Sequence, residues 1–389
     1  MKLKCQPEDF RVEELSSFDC SGGDFAVYSL QKKSLGTPEA MDLISARWKL
    51  HRSRVSFGGM KDRHAFTTQT VTVLQGPQRG LKQDNIELTY LGQAPRHFKP
   101  ADIESNRFTI IMRDMSDPAV GRSETALTEA QQFGMPNYFD DQRFGSIGET
   151  GEFIAKPWCL GNFERALWLA IAEGNSHDRP EDKVRKKILR DHWGNWSLIS
   201  TKLKRSPFDR VLRVLSDRPA DFRFAFGGLR ADQRELYLNA FQSCVWNRML
   251  SQLIQKRWPK TQVMEMKFDH DRLAFQRTIA AHERDVIDAL ELPLPSARAQ
   301  WQDEEQEGLA VRVLEPMGLS LDQMKTKPPR DVFFSRGERK AFVFPQKVET
   351  QSADDELYTG RKRVTLHFDL PRGCYATILI KRITTLAQV

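Results

Sequence analysis

What most constrains the fold of this chain is a change in hydrophobic period that happens twice along it. Toward both ends the apolar residues alternate with polar ones, the period of two expected when one face of a strand is buried and the other is wet. In Arg107–Arg113, Phe108, Ile110 and Met112 share a face; further on, Val364, Leu366, Phe368 and Leu370 alternate with Thr365, His367 and Asp369. Phe10–Leu15, Phe25–Leu30, Thr70–Leu74 and Tyr375–Ile380 read as strands in the same way. Thr37-Pro38-Glu39 opens a helix among them, with Ala40, Met41, Ile44 and Trp48 at helical spacing, proline being well suited to a first turn.

The middle has the other period. From about Phe163 to Ile188, and again from Arg234 to Lys256, apolar residues recur at three and four, as in Tyr237, Ala240, Phe241, Cys244, Val245, Met249 and Leu253. Trp258-Pro259 closes the second run, since proline cannot continue a helix. His282–Leu292 reads as a further short helix and Gln302–Glu307 as an acidic surface loop. The expectation is an α+β chain in which residues 1–155 and 345–389 form one discontinuous domain and residues 156–344 a helix-rich insertion.

At 389 residues the chain has room for two domains of roughly 100–200 residues. Its 40% apolar content opposes long-range disorder. No apolar run approaches the ~18–20 residues of a membrane span, and Met1–Pro7 lacks the apolar core of a signal peptide, so a soluble cytoplasmic protein is expected. The five cysteines are odd in number, scattered and without a C-x-x-C pair, and the eight histidines show no metal-ligand spacing. Reduced thiols and catalysis on side chains alone, with no metal and no cofactor, are the expectation.

The formal charge is +7, and a net +6 of it falls between Asp178 and Arg218, where twelve basic residues stand against six acidic ones. Interleaved with Trp193, Trp196 and Phe208, such a stretch suits an RNA-contacting surface, with cations for phosphates and aromatic faces for unpaired bases. It suits equally an amphipathic helix with a solvated basic face and core tryptophans.

The densest local signal is Phe57-Gly58-Gly59-Met60-Lys61-Asp62-Arg63-His64-Ala65-Phe66-Thr67-Thr68-Gln69. Two glycines allow a tight turn, and a carboxylate follows between two cations, which favour the charge that a nucleophile or general base needs. On composition alone, a hairpin turn with a surface ion pair reads as well. The segment satisfies neither the P-loop nor the dinucleotide fingerprint.

Residues 59–69 resemble the G-x-K-D-(R/K)-x-A-x-T-x-Q signature of the TruD family of pseudouridine synthases. Five further segments follow in that family's order. Pro7–Glu14 resembles P-E-D-F-x-V-x-E, and Asn106-Arg107-Phe108 resembles the G-N-x-F strand with Ser105 for glycine. Met135–Gly145 resembles P-N-Y-F-G-x-Q-R-F-G with Asp140 for glycine, Asn239–Asn247 resembles A-x-Q-S-x-x-W-N, and Leu370–Thr377 resembles L-P-x-G-(S/C)-(Y/F)-A-T. The resemblance implies a pseudouridine synthase catalytic domain, an antiparallel sheet flanked by helices, interrupted by the family's TRUD insertion domain. It puts Asp62 on the catalytic aspartate and Phe10, Asn137 and Tyr375 on positions lining the target-uridine pocket. Lys61, Arg63, Gln142 and Arg143 stand beside them as supporting candidates.

Making pseudouridine from uridine breaks the N1–C1′ bond, turns the base and rejoins it through C5, a reaction that needs neither oxidant nor hydrolytic water. The carboxylate either attacks C1′ or abstracts a proton in a glycal-type route. A flipped-out base calls for an aromatic face, which Phe10 or Tyr375 would offer, and an amide for its Watson–Crick edge, which Asn137 would offer. The resemblance implies a tRNA substrate, in bacteria the uridine at position 13, with other structured RNA as a further class, and a monomer is expected. A non-catalytic RNA chaperone on the same scaffold is the competing reading. A metal-dependent nuclease would want several clustered carboxylates, and the surroundings of Asp62 supply none in sequence.

Overall fold

The computed structural model describes residues 1–388, which divide into two compact units, Met1–Met135 with the stretch from Val343 onward, and Pro136–Phe342. The expected boundaries, 155/156 and 344/345, differ from these chiefly at the first. Residues 136–155 belong with the helix-rich unit because their side chains are built onto its longest helix, Ala231–Arg257. Asn247 of that helix accepts the Phe139 N–H at 2.9 Å and donates to the Phe139 carbonyl at 2.8 Å. Phe139 also meets Trp246 edge to face, and Phe153 packs on Phe241.

The first unit is a sheet of nine strands. In chain order its elements are β1 (Phe10–Leu15), β2 (Phe25–Lys33), helix α1 (Thr37–Trp48), β3 (Val55–Phe57), β4 (Phe66–Leu74), β5 (Leu81–Gln83), β6 (Ile86–Ala94), β7 (Ser105–Met115) and helix α2 (Asp117–Phe133). After the second unit come the strands Gln346–Asp354 and Lys362–Pro371 and the helix Ala376–Gln388. Across the sheet the order is Gln346–Asp354, Lys362–Pro371, β7, β1, β4, β2, β6, β5, with β3 beside β4. All these pairings are antiparallel except β1 with β4. Alternation appears as read: along β7, Asn106, Phe108, Ile110 and Met112 point into the core. Ala40, Met41 and Ile44 of α1 bury against Tyr28, Leu30, Val71, Val73 and Leu88, a face of mostly β-branched and aromatic residues that suits a pleated surface.

Two local readings are corrected. Tyr375–Ile380 is not a strand: Ala376 starts a helix in which Ile378, Leu379, Ile380 and Ile383 are all buried. The β-branched residues there suggest a strand, but their run continues at helical spacing after a Pro371-Arg372-Gly373 turn, where Gly373 takes φ +81°. Gln302–Glu307 is not a loop but the start of helix Glu304–Leu314. Asp303 caps it by accepting the Gln306 N–H at 2.8 Å, and the acidic residues of the first turn face the positive end of the helix dipole.

In the second unit, helices pack around Ala231–Arg257, whose buried side chains include Leu238, Phe241, Val245, Met249 and Ile254. The expected run 163–188 is broken into Phe163–Ile171 and Pro180–Asp191. In the basic stretch, Trp196 is buried and Trp193 packs between Trp168, Trp196 and Phe222. Trp196 is thus a core residue, and Trp193 and Phe208 are half-buried against the same core. Among the described residues, no helix is long and apolar enough to cross a membrane.

Candidate active site

Asp62 lies in the loop between β3 and β4, and that loop is pinned from three directions. On the glycine side, neither Gly58 nor Gly59 adopts a left-handed conformation. Gly58 is required for closeness instead: a Cβ there would lie 2.6 Å from the Phe98 ring and 2.7 Å from Ile103. From α1, Thr37 accepts the Lys61 N–H through Oγ1 at 2.9 Å and donates to Gln69 Oε1 at 3.1 Å, and Gln69 in turn donates to the Gly59 carbonyl at 3.2 Å. From β2, buried Lys32 donates to the carbonyls of Leu35 at 2.6 Å and Asp62 at 2.9 Å.

The two chain neighbours of Asp62 turn their charges elsewhere. Lys61 reaches into the sheet, 2.8 Å from Glu14 on β1 and 2.7 Å from Asn106 on β7. Arg63 pairs with Glu39 on α1. The cation that meets the Asp62 carboxylate is Lys4, whose Nζ lies 3.0 Å from Oδ2 and 4.2 Å above the ring of Phe10. Lys4 has φ +53°, a conformation unusual for a residue with a Cβ and of the kind that accumulates at functional sites. Sequence reasoning passed over Lys4, although it stands three positions before the Pro7-Glu8-Asp9-Phe10 motif.

That motif holds the approach to Lys4 in place. Glu8 pairs with Lys33, and Glu14 with Lys61. Asp9, wholly buried, takes a forked pair from Arg113 on β7 at 2.8 and 2.9 Å. Arg113 also reaches Asp355 at 3.0 Å, in the link between the strands Gln346–Asp354 and Lys362–Pro371. Phe10 itself is buried, edge to face with Phe108, and the Lys4 ammonium lies over its ring.

Tyr375 is half-buried immediately before the helix Ala376–Gln388. It follows the strand whose Leu370 faces Asn106, the residue that takes the Lys61 ammonium. The structure thus joins Asp62, Lys4 and Phe10 directly, with Lys61 one strand further in.

Asn137, Gln142 and Arg143 belong to the second unit. Asn137 is buried; its Nδ2 donates to the Lys340 carbonyl at 3.0 Å and its Oδ1 accepts from Arg339 at 2.7 Å. A primary amide has two N–H groups and two carbonyl lone pairs, so among the described residues one of each is left over after these bonds. The Arg339 guanidinium lies 4.1 Å over the Phe139 ring, with Arg143 at 5.5 Å from the same ring. Gln142 is exposed. Asp140, where the family motif has glycine, takes φ −92° and ψ 169°, ordinary extended geometry that does not require glycine.

Comparison with known proteins bears on the family of the chain. The family model described as tRNA pseudouridine synthase D (TruD) matches residues 1–383. The tRNA pseudouridine synthase D of Aquifex aeolicus is 27% identical over 392 residues, covering 98% of each chain. That of Leptospira interrogans is 26% identical, covering 100% of this chain and 97% of its own. A crystal structure from Methanosarcina mazei, described as a candidate tRNA pseudouridine synthase D, superposes with a TM-score of 0.69 at 22% identity over 98% of this chain and 93% of its own. A family-model match that runs nearly end to end places this chain in the TruD family of tRNA pseudouridine synthases.

Proposed function

We propose that this protein isomerises a uridine of tRNA, the one at position 13, to pseudouridine, with Asp62 as the carboxylate that begins the reaction. The observation that carries the reading is the Asp62 side chain itself. Its backbone is fixed by Thr37, Gln69 and Lys32 around it, and its carboxylate forms an ion pair with Lys4, which is seated over an aromatic ring. A carboxylate so held keeps its direction, which both the nucleophilic and the glycal-type routes require. The N1–C1′ bond breaks, the base turns, C1′ bonds to C5, and the proton from C5 is lost as N1 gains one.

In this reading the sheet-bearing unit is the catalytic domain, and the helix-rich unit, the TRUD domain, grips RNA. The amide of Asn137 has a donor and an acceptor left over, the complement of a uracil edge. Phe10 and Tyr375 supply the aromatic wall, and the protein works as a cytoplasmic monomer on tRNA and on other structured RNA. The test is incubation with unmodified tRNA, carbodiimide treatment and reverse-transcription mapping. A stop at position 13 that needs the wild-type protein and disappears with Asp62→Asn is the expected result. Product from Asp62→Asn overturns the assignment, and tight tRNA binding without product from wild type favours the chaperone reading.

A further inference from the structure

Lys32 on β2 is a charged side chain buried next to the Asp62 loop, with 1% of its surface exposed. An ammonium has three N–H donors, and here each has a backbone carbonyl to meet: Leu35 at 2.6 Å, Asp62 at 2.9 Å and Lys61 at 3.4 Å. Among the described residues no carboxylate forms an ion pair with it. Burying a charge on carbonyl dipoles alone is costly, and a neutral donor would tie down a loop without that cost. The arrangement makes sense if the positive charge itself is used, and the nearest user is the carboxylate on the residue whose carbonyl Lys32 holds.

We propose that Lys32 is the positioning residue of Asp62: two of its three hydrogen bonds fix the peptides on either side of that residue, and its charge supports the carboxylate. The proposal rests on the reading of Asp62 as the catalytic carboxylate. It makes the rate of isomerisation, rather than the affinity for tRNA, depend on the Lys32 ammonium. Loss of the proton would leave two N–H groups for three carbonyls. Burial pushes the ammonium down to about 8; Asp62 favours its charge and Lys61 opposes it. Lys4, paired with Asp62, is the next charge in line.

The experiment is single-turnover pseudouridine formation on an unmodified tRNA transcript with excess full-length protein, between about pH 6 and about pH 9.5. The wild-type rate falls on the alkaline side with an apparent pKa near 8. Lys32→Arg, whose charge does not titrate there, removes that fall. Lys32→Met lowers the rate at neutral pH by roughly 10²-fold, the cost of a misplaced reacting group, while the Kd for the same transcript stays within about twofold. A flat wild-type profile, or a Lys32→Met rate equal to wild type, overturns the proposal. Should Lys32→Met fail to fold, the wild-type and Lys32→Arg profiles decide. Failure of the Asp62 reading looks different: wild type then makes no pseudouridine, or Asp62→Asn still makes it.

Discussion

Lys4 and Asp62, fifty-eight positions apart in the chain, meet in an ion pair of 3.0 Å with about a third of each side chain exposed. A pair this accessible contributes only about 0–1 kcal/mol to stability, so its value lies in placing charge beside the carboxylate. Lys4→Met is expected to leave the melting temperature within about 2 °C of wild type and to lower the single-turnover rate by roughly 10–10²-fold. Lys4→Arg recovers part of the loss. A rate unchanged in Lys4→Met would mean that the pair is decorative.

Arg113 behaves in the opposite way. Its side chain and those of Asp9 and Asp355 are fully shielded from solvent, and removing one partner of such a group strands a buried charge at about 3–5 kcal/mol. Arg113→Met and Asp9→Asn are therefore expected to lower the denaturant midpoint of the sheet-bearing unit strongly. Asp9→Asn and Arg113→Met together should cost less than the sum of the two, and strict additivity would contradict the coupling.

The same cluster predicts an acid limit. Burial pushes Asp355 up, but the Asp114 and Leu357 backbone N–H groups and the Arg113 guanidinium outweigh it and hold it below the usual carboxylate value; Glu356 is lowered first by its bond to Arg113. A carboxyl group lowered by folding stabilises the protein above its unfolded pKa, and that gain is lost as pH falls through the folded value. Stability should hold above about pH 5 and decline below about pH 4, and Asp355→Asn should flatten part of the decline. Denaturant midpoints measured across that range check it; a variant as acid-sensitive as wild type rules it out.

Among the described residues, Lys183, Lys202, Lys204, Arg205, Arg210 and Arg213 are exposed and hold no ion pair, whereas Arg185, Lys186 and Lys187 are already matched by Asp182, Asp178 and Asp191. Reversing the charge at Lys202, Lys204, Arg205, Arg210 and Arg213 is expected to weaken tRNA binding and to flatten its salt dependence by about one unit of slope for each phosphate no longer neutralised. Reversal of Lys187, whose charge is spoken for, should change both far less. Equal binding and slope in the first variant would make the stretch a solvated face.

Much of this site could be read in the chain because it is written locally. The lysine-aspartate-arginine run, the alternation along β1 and β7, and the proline-led start of α1 each depend on near neighbours, and each is where the periodicity put it. Lys4 and Lys32 could not be found that way. Their partners are set by strand register, which brings positions 4, 32 and 62 together without leaving a mark at any one of them. The Asn239–Asn247 motif is an intermediate case. It is legible as a signature, but its physical reason is visible only in three dimensions. Gln242 bonds to the backbone at Pro295 and Ser335, Trp246 to Leu292, and Asn247 to Phe139, so polar side chains of a buried helix face satisfy loops that have no strand to pair with.

The sheet that carries Asp62 is built of strands that precede and follow the second unit in the chain, with β7 lying between β1 and the strand Lys362–Pro371. This has a consequence for the order of events on the ribosome. All of residues 136–342 emerge as one stretch and can fold while synthesis continues, whereas Arg113 waits for Asp355 and β7 waits for its second neighbour, Lys362–Pro371. The helix-rich unit is thus positioned to mature first, and the sheet that carries the carboxylate gains its last two strands only after residues 346–371 have emerged.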